Sequence, residues 1–396
     1  MNRISKLLFA LFLLQSSITK AQLGLQDRLR TGVSYDLNLF AQSNQFDKDL
    51  FFKSFWDEDL KNRQLERTPG QTKLGWGTGH TAAYQWGAMG ENAFKKIYYV
   101  RLSYHDLHSI DLDTDLTKVA LLGNSHTRGQ TIDVNSSGTD AIEYSSLGFG
   151  FERISDQNKQ IRYQLGANIF AGHSLNAQNT SSGTIRTDSM LEHVTLDLDY
   201  ISQSKMRSLS SGMGLGIDLG ISKHTGDRYF KISIRDLGFI NWSKTTELEN
   251  ASRPQRFEGV FVPDIQISEF NWLDSVNKEL VLEETRSVLR LTPFNVTLDA
   301  EFRLSTQSAL GFNARYFHLI GFIPEISAQY LKIWKSNRVS FGLKYGGFGV
   351  LRSHCSLLLQ RHNILNFKLD LESPESLIMN DLPMGLAVRT GVIWNL

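Results

Sequence analysis

The sequence predicts an all-β fold: a transmembrane antiparallel β-barrel of about fourteen strands, within bounds of roughly 12 to 16, closed by its C-terminal strand. Three observations predict it. Runs near ten residues long alternate between large apolar and small or polar side chains, as strands do when successive side chains point to opposite faces. Aromatic residues recur near the ends of these runs, where a barrel meets the two membrane interfaces. The polar face of the runs mixes glycines with charges, as the interior of a barrel does.

The chain starts with a targeting segment. Arg3 and Lys6 precede the apolar run Leu7 to Leu14, and a polar stretch leads to Thr19 and Ala21. This reads as a secretory signal peptide over residues 1–21, cut after Ala21 to leave Gln22 first. The run is too short for a membrane helix, and no later stretch supplies the roughly eighteen apolar residues that one needs. Export without a helical anchor places the expected protein in the outer membrane of a Gram-negative bacterium. Residues 22–396 read as one barrel domain.

The strands follow in order. Val33 to Phe40, VSYDLNLF, sets Val33, Tyr35, Leu37 and Leu39 against Ser34, Asp36 and Asn38. Similar runs are read at 74–86, 97–105, 146–154, 161–171 and 192–203. Met213 to Ser222 places five large apolar residues opposite Gly214, Gly216, Asp218, Gly220 and Ser222. The series continues at 229–236, 294–304, 309–318, 324–332, 339–347 and 351–361. It ends with MGLAVRTGVIWNL, Met384 to Leu396, where Leu386, Val388, Val392 and Trp394 alternate with Gly385, Ala387, Arg389 and Gly391. Turns such as KHTGD, Lys223 to Asp227, and STQS, Ser305 to Ser308, imply antiparallel neighbours. The last strand is expected to close on the first, because an open edge in lipid leaves unpaired backbone groups at several kcal/mol each.

Two segments break the rhythm. Gln45 to Arg67 looks partly helical, and Asn241 to Arg290 reads as a long irregular stretch that folds inward as a plug or offers a docking surface. An alternative reading of the second is a hairpin containing Arg256 to Val262. Counting strands places the first segment outside the cell and the second on the periplasmic side.

The functional residues expected from this fold are of two kinds. The inner face carries the acids Asp36, Glu152, Asp197, Asp199, Asp218, Asp299, Glu301 and Glu325 and the bases Arg101, Arg162, Lys231, Arg235, Arg303, Arg315, Lys344 and Arg389. An ion-selective pore presents rings of one sign. Balanced signs predict cross-strand ion pairs in a narrow or plugged lumen, against the plainer reading of solvated lumen charges. The interfacial aromatics are Tyr35, Trp86, Tyr98, Tyr104, Tyr200, Tyr330, Tyr345 and Trp394.

Chemistry of other kinds finds little support. Lys and Arg total 42 against 41 for Asp and Glu, so no net field attracts nucleic acid. The one cysteine, Cys355, excludes an internal disulfide framework and reads as a small strand residue. Asp111, Asp113 and Asp115 have the opening spacing of a calcium loop, but Leu116 stands where that loop needs glycine, so a helix-capping loop before LTKVALLG is the better reading. His105 and His108 lack a third zinc ligand nearby. Gly214, Gly216 and Gly220 lack the following helix that a phosphate cradle needs. No nucleophile elbow is present. No cofactor or metal is expected, nor catalysis.

Within GLGIDLGISKHTGDRYFKISIRDLGFINW, Gly214 to Trp242, a Gly-alternating strand and hairpin run into Asp236, Leu237, Gly238, Phe239, Ile240 and Trp242. With Arg256 to Gly259 and Tyr35 to Asn44, this resembles an uncharacterised family of outer-membrane barrels from Bacteroidetes. The resemblance implies fold and location, since the family has no assigned reaction. It is distantly similar to fatty-acid-transporter-like barrels and to the PorV and PorP/SprF groups that accompany type IX secretion and gliding. The Q-F-S-x-Y and N-P-A-Y-A-G start of the PorP/SprF group is missing here, so that partnership is not implied.

The expected function is therefore a non-enzymatic outer-membrane barrel. Its partners are outer-membrane lipid and an envelope or secreted protein, which it anchors or docks for secretion or surface attachment. The alternative is a transporter or channel for a hydrophobic or small solute, and a third reading is a secreted β-sandwich that binds without a membrane.

Overall fold

The computed structural model describes residues 31–395 except 50–56, 67–69, 91–92, 135, 156–159, 191–192, 209–210, 252–254, 259–281, 335–336, 362–363, 378 and 380–381. The expected signal peptide and Gly259 lie outside the described residues. The strands are β1 (Thr31–Ser43), β2 (Thr72–Gly90), β3 (Ala93–Leu112), β4 (Thr131–Val134), β5 (Ser137–Ile154), β6 (Ile161–Thr187), β7 (His193–Lys205), β8 (Gly212–Thr225) and β9 (Arg228–Ala251). They continue as β10 (Gln255–Glu258), β11 (Leu282–Leu291), β12 (Asn295–Ser305), β13 (Ser308–Phe317), β14 (Ile323–Trp334), β15 (Asn337–Gly347), β16 (Arg352–Arg361), β17 (Leu365–Glu372) and β18 (Gly385–Asn395). Among the described residues, the helices α1 (Glu58–Leu65) and α2 (Thr114–Leu122) sit in the first long connections.

Fourteen of these strands close an antiparallel ring. Going round, β1, β2, β3, β5, β6, β8, β9 and β12 to β18 each pair with the next. The seam is β18 on β1, in unbroken register from Gly32 opposite Asn395 to Gln42 opposite Gly385. Closure leaves no edge whose N–H and C=O groups would face lipid unpaired.

Register fixes which side chains share the outer face. One path runs Trp394, Val33, Tyr84, Val100, Phe149, Ala167, Ile217 and Leu237, each directly opposite the next. Leu102, Leu215 and Phe341, on the same face, are 58%, 59% and 64% exposed. A soluble sandwich would bury them against a second sheet; here the apolar half of each alternation points away from the protein. Cys355 belongs to this face, between Phe341 and Leu371.

The barrel is much taller on one side than on the other. β7 pairs with β6 at Leu175 to Thr187 and β8 pairs with it at Ile161 to Gly172, so the two lie end to end along one strand. They form one stave of the wall with an extension, not the two staves expected at 192–203 and 213–222. Likewise β11 stands above β12 along β9. The count of fourteen survives because β17, unread in sequence, replaces the stave counted twice.

This also corrects the parity. Residues 241–251 and 282–291 are strand, and they rise at the same end as α1, not at the opposite end. Their short relative β10, which overlaps the start of the Arg256 to Val262 region, pairs with β7, and the rest of that region lies outside the described residues. At the other end, connections run from two residues, Gly226 and Asp227, to the six of 155–160. In an outer-membrane barrel the short turns face the periplasm and the long loops face outward.

Above the lipid band, the helices cover the outer side of the tall wall. Phe46, Leu74 and Leu121 bury together with Leu65 and Ile110. Leu196, Leu198 and Tyr200 bury with Ile132, Ile185 and the α2 residues Leu116 and Val119. Asp113 caps α2, its carboxylate accepting from the Asp115 N–H, which is the role that its spacing predicted.

The mouth at the tall end is filled. Leu319 and Phe322, from the β13–β14 connection, and Phe348, after β15, pack with Leu107, Tyr144, Phe170, Ile240 and Trp242. These loops belong to the short wall and cross the barrel to reach the tall one. Gly75 on β2 makes room for them: a Cβ there would stand 2.2 Å from the Phe348 ring. On β8, Gly216 lies under the Phe170 ring in the same way, which explains the glycine-rich inner face.

Candidate functional site in the barrel lumen

Among the described residues, ionic networks and a cavity occupy the lumen. The first centres on Asp218 of β8, which is 1% exposed. Arg101 reaches it at 2.9 Å from β3, three strands away, and also reaches Asp236 at 2.8 Å. Asn168 Nδ2 and the Asp236 N–H donate to the same Asp218 oxygen at 2.8 and 2.9 Å. Asp236 presents its N–H this way because β9 bulges there: Ile217 pairs with Leu237 but Leu219 with Ile234, and Asp236 has φ of 57°. The segment Asp236 to Trp242 thus gains a structural meaning. Asp236 enters the ion network, Gly238 lies against the Leu215 carbonyl, and Ile240 and Trp242 enter the apolar core.

The second network joins both sides of the short wall. Glu325 contacts Arg315 at 3.4 Å, Lys344 at 3.2 Å and Arg352 at 2.9 Å. Glu372, on β17, contacts Lys344 at 2.7 Å and Arg389 at 2.8 Å and accepts from Gln42 Nε2 at 3.0 Å. Both carboxylates are essentially without solvent, at 0% and 1% exposure. Charges so deeply buried persist only when paired and hydrogen-bonded.

Lower in the lumen, Glu152 pairs with Arg162 at 3.4 Å, Glu301 with Arg338 at 3.6 Å, and Asp299 accepts from Asn313 at 2.7 Å. Lys231 stands opposite Asp299 in register and Ser222 on the other side. Arg303 shares the inner face with Glu301, and Asp36 lines the cavity described below. Two expected lumen residues are elsewhere. Asp197 and Asp199 lie on the exposed face of β7, above the ring, because β7 is the extension of the wall.

The aromatics separate similarly. Trp86, Tyr98, Tyr330 and Trp394 stand toward the short-turn end of the outer face, with Trp86 stacked between Tyr84 and Tyr98. Tyr104 and Tyr345 mark the opposite end, and Tyr35 donates or accepts across to His80 Nδ1 at 2.7 Å. Tyr200 is not interfacial: it is 4% exposed within the extension, where burial and the nearby Glu249 push its phenol up to about 12. His105 and His108 point to opposite faces of β3, His108 stacking on Trp76, so they share no metal. Among the described residues no cluster of three metal-ligating side chains occurs.

Sequence reading missed Asp236, Arg338, Arg352, Asp370 and Glu372. Asp236 was hidden by the bulge. Asp370 and Glu372 were hidden by the unread β17, although Leu365, Phe367, Leu369 and Leu371 alternate cleanly with Asn366, Lys368, Asp370 and Glu372.

Between the two networks lies a cavity of about 180 Å³. Phe40, Leu107, Phe317 and Phe322 form its apolar wall, and Arg101, Arg235, Arg315 and Arg389 face it together with Asp36 and Asp236.

Closed register, an apolar outer face and a polar, charge-paired interior define a membrane β-barrel of the outer-membrane type. The chain belongs to a family of unknown function, DUF5723, whose sequence profile matches residues 31–345 and stops short of β16 to β18. No curated protein matches it. Among solved structures it is similar to a TodX deltaS2S3 mutant, a monoaromatic hydrocarbon channel, at 9% identity over 96% of both chains with a TM-score of 0.49. A FadL homologue of Pseudomonas aeruginosa is 9% identical over 93% of this chain and 89% of its own, with a TM-score of 0.43. The translocator domain of the autotransporter NalP from Neisseria meningitidis is 10% identical over 94% and 91%, at 0.32. The fold assignment rests on the strand pairing itself.

Proposed function

We propose that this chain is a non-catalytic outer-membrane barrel that holds a partner protein at its tall, long-loop end. The observation that carries the reading is the combination of a filled mouth with a raised wall. Phe322 and Phe348 cross the barrel into the apolar core, while β7, β10 and β11 rise beyond it. A wall that extends past the membrane adds nothing to a pore but gives a partner protein a sheet to meet. Its exposed face carries Asp197, Asp199 and Ile201.

Purification in mild detergent tests this. A partner protein should travel with the barrel in fixed stoichiometry, and the double variant Asp197→Lys/Asp199→Lys should lose it while keeping the barrel folded. A preparation free of any stoichiometric protein, or one whose partner is untouched by the double charge reversal, would defeat the docking role assigned to this face. A second reading, transport of a small or hydrophobic solute, is favoured by the lumen cavity alone. It predicts solute uptake into proteoliposomes.

A further inference from the structure

The cavity between the networks has more character than a packing gap. Three of its arginines have carboxylate partners: Arg101 with Asp218 and Asp236, Arg315 with Glu325, and Arg389 with Glu372. Arg235 has no hydrogen-bond or ion-pair partner among the described residues, and its side chain is exposed within the lumen. The bulge at Asp236 sets it there, one residue before the left-handed turn of the backbone and opposite Asn295. Buried polar atoms on neighbouring groups are also unused. The Nε atoms of Arg101 and Arg315 find no acceptor, and the Nε2 of His105 has no hydrogen-bond partner. Arg315 is meanwhile held over the Phe322 ring at 5.7 Å, where the charged and apolar walls meet.

We propose that this cavity binds a small amphipathic monoanion, a carboxylate borne on a compact apolar body. Volume sets the size. An apolar cavity of about 150 Å³ holds benzene, so about 180 Å³ holds roughly benzene's six carbons plus the three atoms of a carboxylate. Charge sets the sign and limits the valence. Arg235 makes no direct hydrogen bond or ion pair, its charge reaching Asp218 only at longer range, and the carboxylates Asp36 and Asp236 on the same wall disfavour a second negative charge beside it. The wall chemistry sets the orientation: carboxylate on Arg235, apolar body against Phe40, Leu107, Phe317 and Phe322. A neutral hydrocarbon would leave Arg235 unpaired, and inorganic chloride would leave the apolar wall without contacts. The site does not depend on the docking role, because a ligand seated here needs no continuous route through the barrel.

The test uses the full-length folded protein in detergent. Its thermal midpoint is followed with acetate, butanoate, benzoate and phenylacetate, against benzyl alcohol and against sodium chloride at equal ionic strength. Benzoate should raise the midpoint saturably, and benzyl alcohol should need at least roughly tenfold more for the same shift, the equivalent of about 1.4 kcal/mol. Arg235→Gln should abolish the benzoate response and Arg235→Lys should retain most of it. Arg235 makes no hydrogen bond or ion pair among the described residues, so both variants should fold without ligand, and the charge selectivity is read on the unaltered protein in any case. The proposal is overturned if no carboxylate acts beyond sodium chloride, if benzyl alcohol acts as well as benzoate, or if Arg235→Gln responds like the parent.

Discussion

Removing the charge of Glu372 would leave Lys344 and Arg389 facing a buried site with Glu325 and the more distant Asp370 to answer them and two further arginines nearby. Both of its ion pairs are under 3 Å and the carboxylate is 1% exposed. Breaking a buried pair by deleting one partner costs about 3–5 kcal/mol, because the other charge remains uncompensated. Glu372→Gln, which keeps the shape and the bond from Gln42, should therefore lower the urea midpoint of the micelle-folded barrel by that equivalent. Adding Lys344→Met should restore part of it, since the two residues act in one network. An unchanged midpoint would mean that these groups are solvated lumen charges. At this scale the sequence was only half informative. Alternation identified Glu325, Lys344 and Arg389 as inward, but which charge meets which depends on strand neighbours and register, and these are properties of the assembled ring.

Elements were legible where they obey the period of two without interruption. β8 carries large apolar residues from Met213 to Ile221 on one face and glycines with Asp218 on the other, and both faces are as the alternation predicts. Reading failed where an element's role depends on its neighbours. β7 and β8 are both alternating strands, but only the shared partner β6 shows that they form one stave. A bulge is equally silent, because one extra residue in β9 changes the facing of Asp236 without altering composition. A lipid-facing position on β8 separates a membrane barrel from a soluble sheet. Ile217 sits mid-strand on the outer face, 43% exposed. Arginine there should cost about 2–4 kcal/mol in bilayers, the penalty for a charge near the membrane midplane, and much less in a soluble protein with a water-facing strand. Urea titration of Ile217→Arg in lipid vesicles reads the difference; a loss of only a few tenths of a kcal/mol would contradict the lipid-facing assignment.

The whole molecule is an uneven cylinder. Its short wall supplies the loops that cross the mouth, its tall wall rises past them, and two helices cover the outside of that rise. Paired charges then span the lumen beneath, with Arg101 reaching Asp218 from three strands away and Lys344 bridging Glu325 and Glu372. Single-channel recording in planar bilayers tests whether this lumen is sealed. The folded protein should insert without sustained current steps. Large, steady steps of one size, repeated from insertion to insertion, would show an open aqueous pore in place of a sealed lumen.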